Sequence, residues 1–168
     1  MTGVVGAGKI DVLMSDTSES IDRVRAIGGE LVRVHQRLRD DLARLHDRLD
    51  TGEDLMPLQA HCFAFCAAVT RHHTSEDATA FPLLGAQLPA LAPVLDQLSQ
   101  DHRLVEDIVL RLRELLTAPG DADDVRREID GLSAILESHF RWEEKALVDA
   151  LNAIDSAPSA EALFGRVS

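Results

Sequence analysis

The chain has no tyrosine, one tryptophan and two cysteines among 168 residues, and its only lysines are Lys9 and Lys145. Without a phenol, tyrosyl-radical chemistry is excluded. Cys62 and Cys66 lie four apart in a segment with helical periodicity, where their side chains are poorly placed to bridge, so they read as reduced core thiols. No run of about 18 apolar residues occurs, and the opening MTGVVGAGKI lacks the basic start and apolar centre of a signal peptide. A net positive surface is missing as well. Lys plus Arg number 17 against 29 Asp plus Glu, a formal charge of −12, which disfavours nucleic acid and anionic lipid as partners. A soluble cytoplasmic protein of one compact domain is expected.

Residues 1–20, rich in Gly, Ser and Asp without apolar periodicity, read as a flexible N-terminal tail. Gly3 to Lys9 spells the start of a phosphate-binding loop, but Ile10 stands where a Ser or Thr is needed and no strand precedes it. Beyond residue 20 the apolar period is heptad-like. Steps of three and four pick out Gly28, Leu31, His35, Leu38, Leu42, Leu45 and Leu49, and then Leu58, Cys62, Phe65, Val69, His72, Glu76, Thr79 and Leu83. A third seam runs from Leu91 through Leu95, Leu98, His102, Val105, Val109 and Leu112 to Leu116. The fourth contains Val125, Ile129, Leu132, Leu136, His139, Glu143, Ala146 and Ala150. Asp50-Thr51-Gly52, the stretch from Pro82 to Pro93, and Ala118-Pro119-Gly120-Asp121 mark the connections. The pattern predicts an all-α fold, an antiparallel up-down-up-down four-helix bundle over residues 21–155, with a C-terminal tail over 156–168 that holds a short turn from Ala160 to Phe164.

Each seam carries one histidine, and the second and fourth add a glutamate four residues later. A helical histidine reaches a two-in-seven seam by chance about 30% of the time; here four helices do so together. In antiparallel helices two residues are level when their midpoint falls in the connection. The midpoint of His35 and His72 lies at Glu53-Asp54, that of His72 and His102 at Gln87, and that of His102 and His139 at Gly120-Asp121. All four imidazoles are therefore expected at one height. A repeat of 67 residues relates His35 to His102, His72 to His139 and Glu76 to Glu143. Two copies of a helical hairpin would thus surround one centre.

Burying two ionised carboxylates costs several kcal/mol each unless a positive charge neutralises them. Metal ions answer that need. Imidazole with carboxylate suits iron or zinc better than magnesium or calcium, and four His with two Glu supply two metals about 3.5 to 4 Å apart. His35, His72, Glu76, His102, His139 and Glu143 are the candidate ligands, with two His per metal and the Glu pair bridging. The His-x-x-x-Glu spacing differs from the Glu-x-x-His of ferritin-like di-iron bundles, and no Glu in this chain has a His three residues later.

His35, HHTSEDATAFP at 72–82, DHRLVE at 101–106 and HFRWEE at 139–144 resemble the hemerythrin-like HHE cation-binding domains over roughly residues 25–152. The resemblance implies a four-helix bundle with a non-haem di-iron site, oxo- or hydroxo-bridged, that binds O₂ or serves in peroxide, nitric oxide or iron handling. It places His35, the His72–Glu76 pair, His102 and the His139–Glu143 pair as ligands. Zinc and manganese remain alternatives. The chain departs from the O₂-carrying hemerythrins at Glu106, where they have a second third-helix His, and at Glu143 and Glu144, where they have one Asp five after the last His.

Two further ligands stay open. His73 is one step off the seam, but some iron-sensing members use a ligand directly after the preceding His. Glu106, beside Val105, either reaches in as a third carboxylate or faces solvent. Asp77 and Glu144 read as outer partners or exposed charges, His46 as a surface residue, and His61 as too remote, about 16 Å along its helix from His72. Phe140 and Trp142 read as core packing. Two functions follow: a protein that binds O₂ or reacts with peroxide or nitric oxide at the metal, or a metal-dependent sensor or interaction module without turnover. The protein partner is unknown.

Overall fold

A computed structural model describes residues 27–52, 55–118, 121–154 and 156–166, all helical or in short connections, with no strand among the described residues. The N-terminal tail and its GxxxxGK sequence lie outside these residues. Helix α1 spans Ile27–Asp50, α2 Leu55–Ser75, and a π-helical turn follows at Glu76–Ala80. Helix α3 covers Phe81–Gln87, a 3₁₀ turn Pro89–Leu91, α4 Ala92–Thr117, α5 Ala122–Ala153 and α6 Ala160–Phe164. Helix α1 packs on α2 and α5, and α4 packs on the same two, so four long helices close around one core. No described helix is long and apolar enough to cross a membrane.

Local sequence explains most of these boundaries. Asp121 caps α5, its carboxylate accepting from Asp123 N at 3.1 Å, and Asp123 and Asp124 face the positive end of the helix dipole. Proline starts helical pieces here instead of ending them. Pro89 and Pro93 each occupy the first or second position of a piece, where a missing N–H costs nothing, and Pro82 follows the π turn within continuous helix. The expected stop at Pro82 is therefore corrected: the chain stays helical to Gln87.

The π turn also corrects the second seam. Phe81 N–H bonds to Glu76 O, one residue beyond the α-helical partner, so the buried stripe moves on by one position. Thr79 and Leu83 were the expected inward residues; they are half-buried, and Ala80, Phe81 and Leu84 are buried in their place. In α5 the stripe likewise passes to Leu147 and Leu151, leaving Ala146 and Ala150 half-buried. An α-helix of 3.6 residues per turn drifts off a strict seven-residue repeat, which accounts for that shift.

Apolar layers lie on both sides of the histidine level. Leu38, Leu45, Phe65, Leu112 and Leu132 fill one side, and Leu31, Leu84, Leu98, Leu147 and Leu163 the other, all fully or almost fully buried. Each such side chain contributes roughly 1.5 to 3 kcal/mol of transfer free energy. Cys62 and Cys66 are buried free thiols, as their spacing implied. Burial pushes Cys62 up to about 12 and Cys66 to about 11, so both stay protonated near neutral pH.

Close approach of α1 and α5 depends on Gly28. Its N–H donates to Asn152 Oδ1 at 3.0 Å, and a Cβ there would lie 2.7 Å from Val148 O. Gly28→Ala is expected to destabilise the fold by about 1 to 3 kcal/mol, because the backbone oxygen cannot move away without shifting α5. Chemical denaturation of the two proteins measures this, and an unchanged midpoint would contradict the packing argument.

Candidate metal centre

Five histidines and two glutamates converge between the apolar layers. Helix α1 contributes His35, α2 His72 and His73, the π turn Glu76, α4 His102, and α5 His139 and Glu143; all seven are buried. Their donor atoms form two groups, His35 with His72, Glu76 and Glu143, and His73 with His102 and His139, each within 4.8 Å internally. The carboxylates span both. Glu76 Oε1 is 3.5 Å from His72 Nε2 and its Oε2 is 3.5 Å from His102 Nε2. Glu143 Oε2 lies 3.3 Å from His35 Nε2 and 3.4 Å from His139 Nε2.

The 67-residue repeat is visible in the contacts around the group. Glu144 Oε1 is 2.9 Å from His35 Nδ1, and its counterpart Asp77 has Oδ2 3.1 Å from His102 Nδ1. Phe140 stacks on His35 at 4.1 Å between ring centroids, and its counterpart His73 stacks on His102 at 4.0 Å. One half thus presents a phenyl ring where the other presents an imidazole. Further out, Arg39 donates to both Glu144 and Glu137 at 2.8 Å, and Ser99 Oγ donates to Asp77 at 2.6 Å. His72 differs from its neighbours: its Nδ1 donates to the main-chain oxygen of Phe164 at 3.0 Å.

These outer contacts set the state of the inner atoms. A carbonyl only accepts, so His72 Nδ1 carries the proton and its Nε2 presents a lone pair. Glu144 asks the same of His35. The two Nε2 atoms nevertheless face each other at 3.0 Å, an arrangement that requires a cation, proton or metal, at their junction. Both oxygens of Glu76 and of Glu143, Nε2 of His73, and both ring nitrogens of His102 and His139 are buried without a hydrogen-bond partner among the described residues. Such orphaned acceptors are costly in a protein interior. A divalent or trivalent ion is what this donor set fits, because it satisfies lone pairs and carboxylate charge together.

Proton positions in the metal-free chain follow from the same geometry. Burial, with the charge of Glu143 added, holds the Glu76 carboxyl well above its ordinary range. Burial acts on Glu143 in the same direction, but His35, His139 and His72 around it prevail and hold it down at about 2. Burial and neighbouring imidazoles push His72 down to about 3 and His73 well below its usual value. His35 is the exception: burial lowers it, and the two carboxylates Glu143 and Glu144 more than reverse that.

Residues 27–160 match the family model described as the hemerythrin HHE cation binding domain. The chain belongs to this family. Comparisons with curated proteins and with solved structures give no match. Set against the HHE pattern, the structure brings His35, His72, Glu76, His102, His139 and Glu143 together and adds His73. Glu106 is exposed and outside both groups, the solvent-facing of its two readings.

The flanking heptad positions explain that difference. His73 follows Cys66, also buried, by seven residues within α2. Glu106 falls between Ser99 and Arg113 at the same spacing, a polar stripe. Asp77 and Glu144 are outer partners, as expected, and Phe140 is core. His46 lies near the surface with Nδ1 3.4 Å from Asp130, and His61 is exposed. Trp142 is half-buried and lines a surface hollow with Arg141 and Lys145. The Phe164 carbonyl had no signal in the sequence, because a main-chain group contacts whatever the chain brings to it.

An HHE chain built this way has its metal-free fold strained by the Glu76 carboxyl. Glu76→Gln is expected to raise the melting temperature of the metal-free protein by a few degrees at pH 7, about 1 kcal/mol. The gain has a defined pH window. The folded-state pKa of Glu76 is raised, so the unfolded chain loses this proton first, and the contribution of Glu76 to wild-type stability falls as pH climbs above 4.5. The difference between variant and wild type should grow over that interval and shrink below it. A variant less stable than wild type at pH 7 would contradict the reading.

Proposed function

We propose that the chain is a non-haem di-iron protein that binds O₂ or reacts with peroxide or nitric oxide, built on an antiparallel up-down-up-down four-helix bundle. The observation that carries this reading is the convergence of orphaned, buried imidazole and carboxylate atoms on one point. Membership of a cation-binding family supports it. Antiparallel pairing is supported by contacts at both ends of α1 and α5, Gly28 with Asn152 and Asp50 with Arg126.

His35 and His72 would hold one ion, His73, His102 and His139 the other, and Glu76 and Glu143 would bridge. Bound iron supplies an open coordination position and one-electron redox chemistry. The chain's own residues do the rest. Glu144 keeps the imidazole of His35 oriented through Nδ1, and Asp77 lies beside Nδ1 of His102. Phe140 and Phe81, stacked on His35 and His102, exclude water from the two sides. A cavity of about 70 Å³ reaches His73 and His102 between α2 and α4, with Thr70, Thr74 and Glu106 in its wall, which suits a diatomic molecule or peroxide. Glu106 would then flank the ligand's path without touching metal.

The test is metal analysis of protein produced in iron-supplemented medium. Wild type is expected to hold about two irons per chain with a visible ligand-to-metal charge-transfer band, and His73→Ala about one. Addition of peroxide or nitric oxide should change the band. Less than about one iron per wild-type chain, with no band, would overturn the proposal.

A further inference from the structure

We propose that α6 and the turn after it form a clasp that positions His72, fixing which of its ring nitrogens faces the metal position and slowing metal exchange there. The inference rests on the di-iron reading for its second half only. The family match ends at residue 160, so Phe164, Gly165 and Arg166 of the clasp lie beyond it.

Three sets of contacts build the clasp. Phe164 O accepts from His72 Nδ1 at 3.0 Å, and Leu163 and Phe164 are buried, so the carbonyl is held in place by packing. Gly165 has φ +73°, and a Cβ there would lie 2.9 Å from Arg71 O and 3.1 Å from Ser75 Oγ. Only a residue without a side chain can press this closely on the last turn of α2. Arg71 Nε donates to Arg166 O at 3.3 Å, while Ser159 caps α6 through Ala162 N at 3.2 Å. The residue just before His72 is thus tied to the same segment as His72 itself.

The consequence for His72 is a single tautomer. Its Nδ1–H is committed to the Phe164 carbonyl, and Nε2 is left as the ligating lone pair. His35 is oriented by a carboxylate of the bundle, Glu144, whereas His72 depends on a neutral group from outside the four long helices. Helix α6 packs across α1, α2 and the π turn, the elements that hold His35, His72 and Glu76. Lifting it would uncover that end of the site and free the His72 ring together.

Gly165→Ala breaks the clasp by steric conflict without touching a ligand, and deletion of residues 159–168 removes it. Leu45→Ala lowers stability at the other end of the core and serves as the control. Wild type and the three variants are loaded anaerobically with iron(II) and challenged with bipyridine. About ten-fold or faster iron loss is expected in Gly165→Ala and in the deletion, with little change in Leu45→Ala. Rates near wild type in both clasp variants, or equal acceleration in the control, would overturn the clasp. The second readout is ¹⁵N NMR of metal-free protein, where wild-type His72 is expected as the Nδ1–H tautomer and Gly165→Ala as a mixture. An unchanged His72 spectrum overturns the positioning role even if wild type takes up no iron, a result that by itself counts against the di-iron reading. If the deletion does not fold, Gly165→Ala decides.

Discussion

Two carboxylates without hydrogen-bond partners, Glu76 and Glu143, sit at the centre of an apolar helical bundle, and the surrounding structure answers them. An uncompensated buried carboxylate costs several kcal/mol, a large share of the net stability of a domain this size. The imidazoles offset that cost at Glu143, which they hold down, but not at Glu76, which stays well above its ordinary range. Burial disfavours the protonated form of His72, His73 and His139, and the Nδ1 proton of His72 is already engaged outward. The interior therefore turns lone pairs and carboxylate oxygens toward one another, an arrangement that cations, protons or metal ions, satisfy.

The two halves of the molecule approach this problem by the same plan with one difference. His35, Glu144 and Phe140 in one half correspond to His102, Asp77 and His73 in the other, and the ring-stacking and Nδ1 contacts are repeated. Replacing a phenyl ring by an imidazole at one of the paired positions makes the donor groups unequal, two His with shared carboxylates against three His. The π turn accompanies this change. It begins at Glu76 and brings Ala80 and Phe81 inward together, so Phe81 lies flat on His102 beside the extra imidazole.

Much of this was legible in the sequence because a seam residue announces itself by spacing. The heptad steps and the midpoint rule placed His35, His72, His102 and His139 at one level, and the i, i+4 spacing placed Glu76 and Glu143 with them. His73 was harder to read because a strict two-in-seven seam is narrower than the stripe α2 buries, which also takes in Cys66 and Ala68. The π turn had no readable signal, since it depends on one main-chain bond being made a residue later than usual. The clasp was illegible for a related reason. It joins an imidazole to a carbonyl 92 residues away, and neither spacing nor composition encodes that pairing.

Anomalous diffraction at the iron edge, from crystals of the iron-loaded protein, tests the central claim most directly. The account predicts two peaks, one among His35, His72, Glu76 and Glu143 and the other beside His73, His102 and His139. Peaks elsewhere, or none in crystals shown by chemical analysis to contain iron, would contradict it.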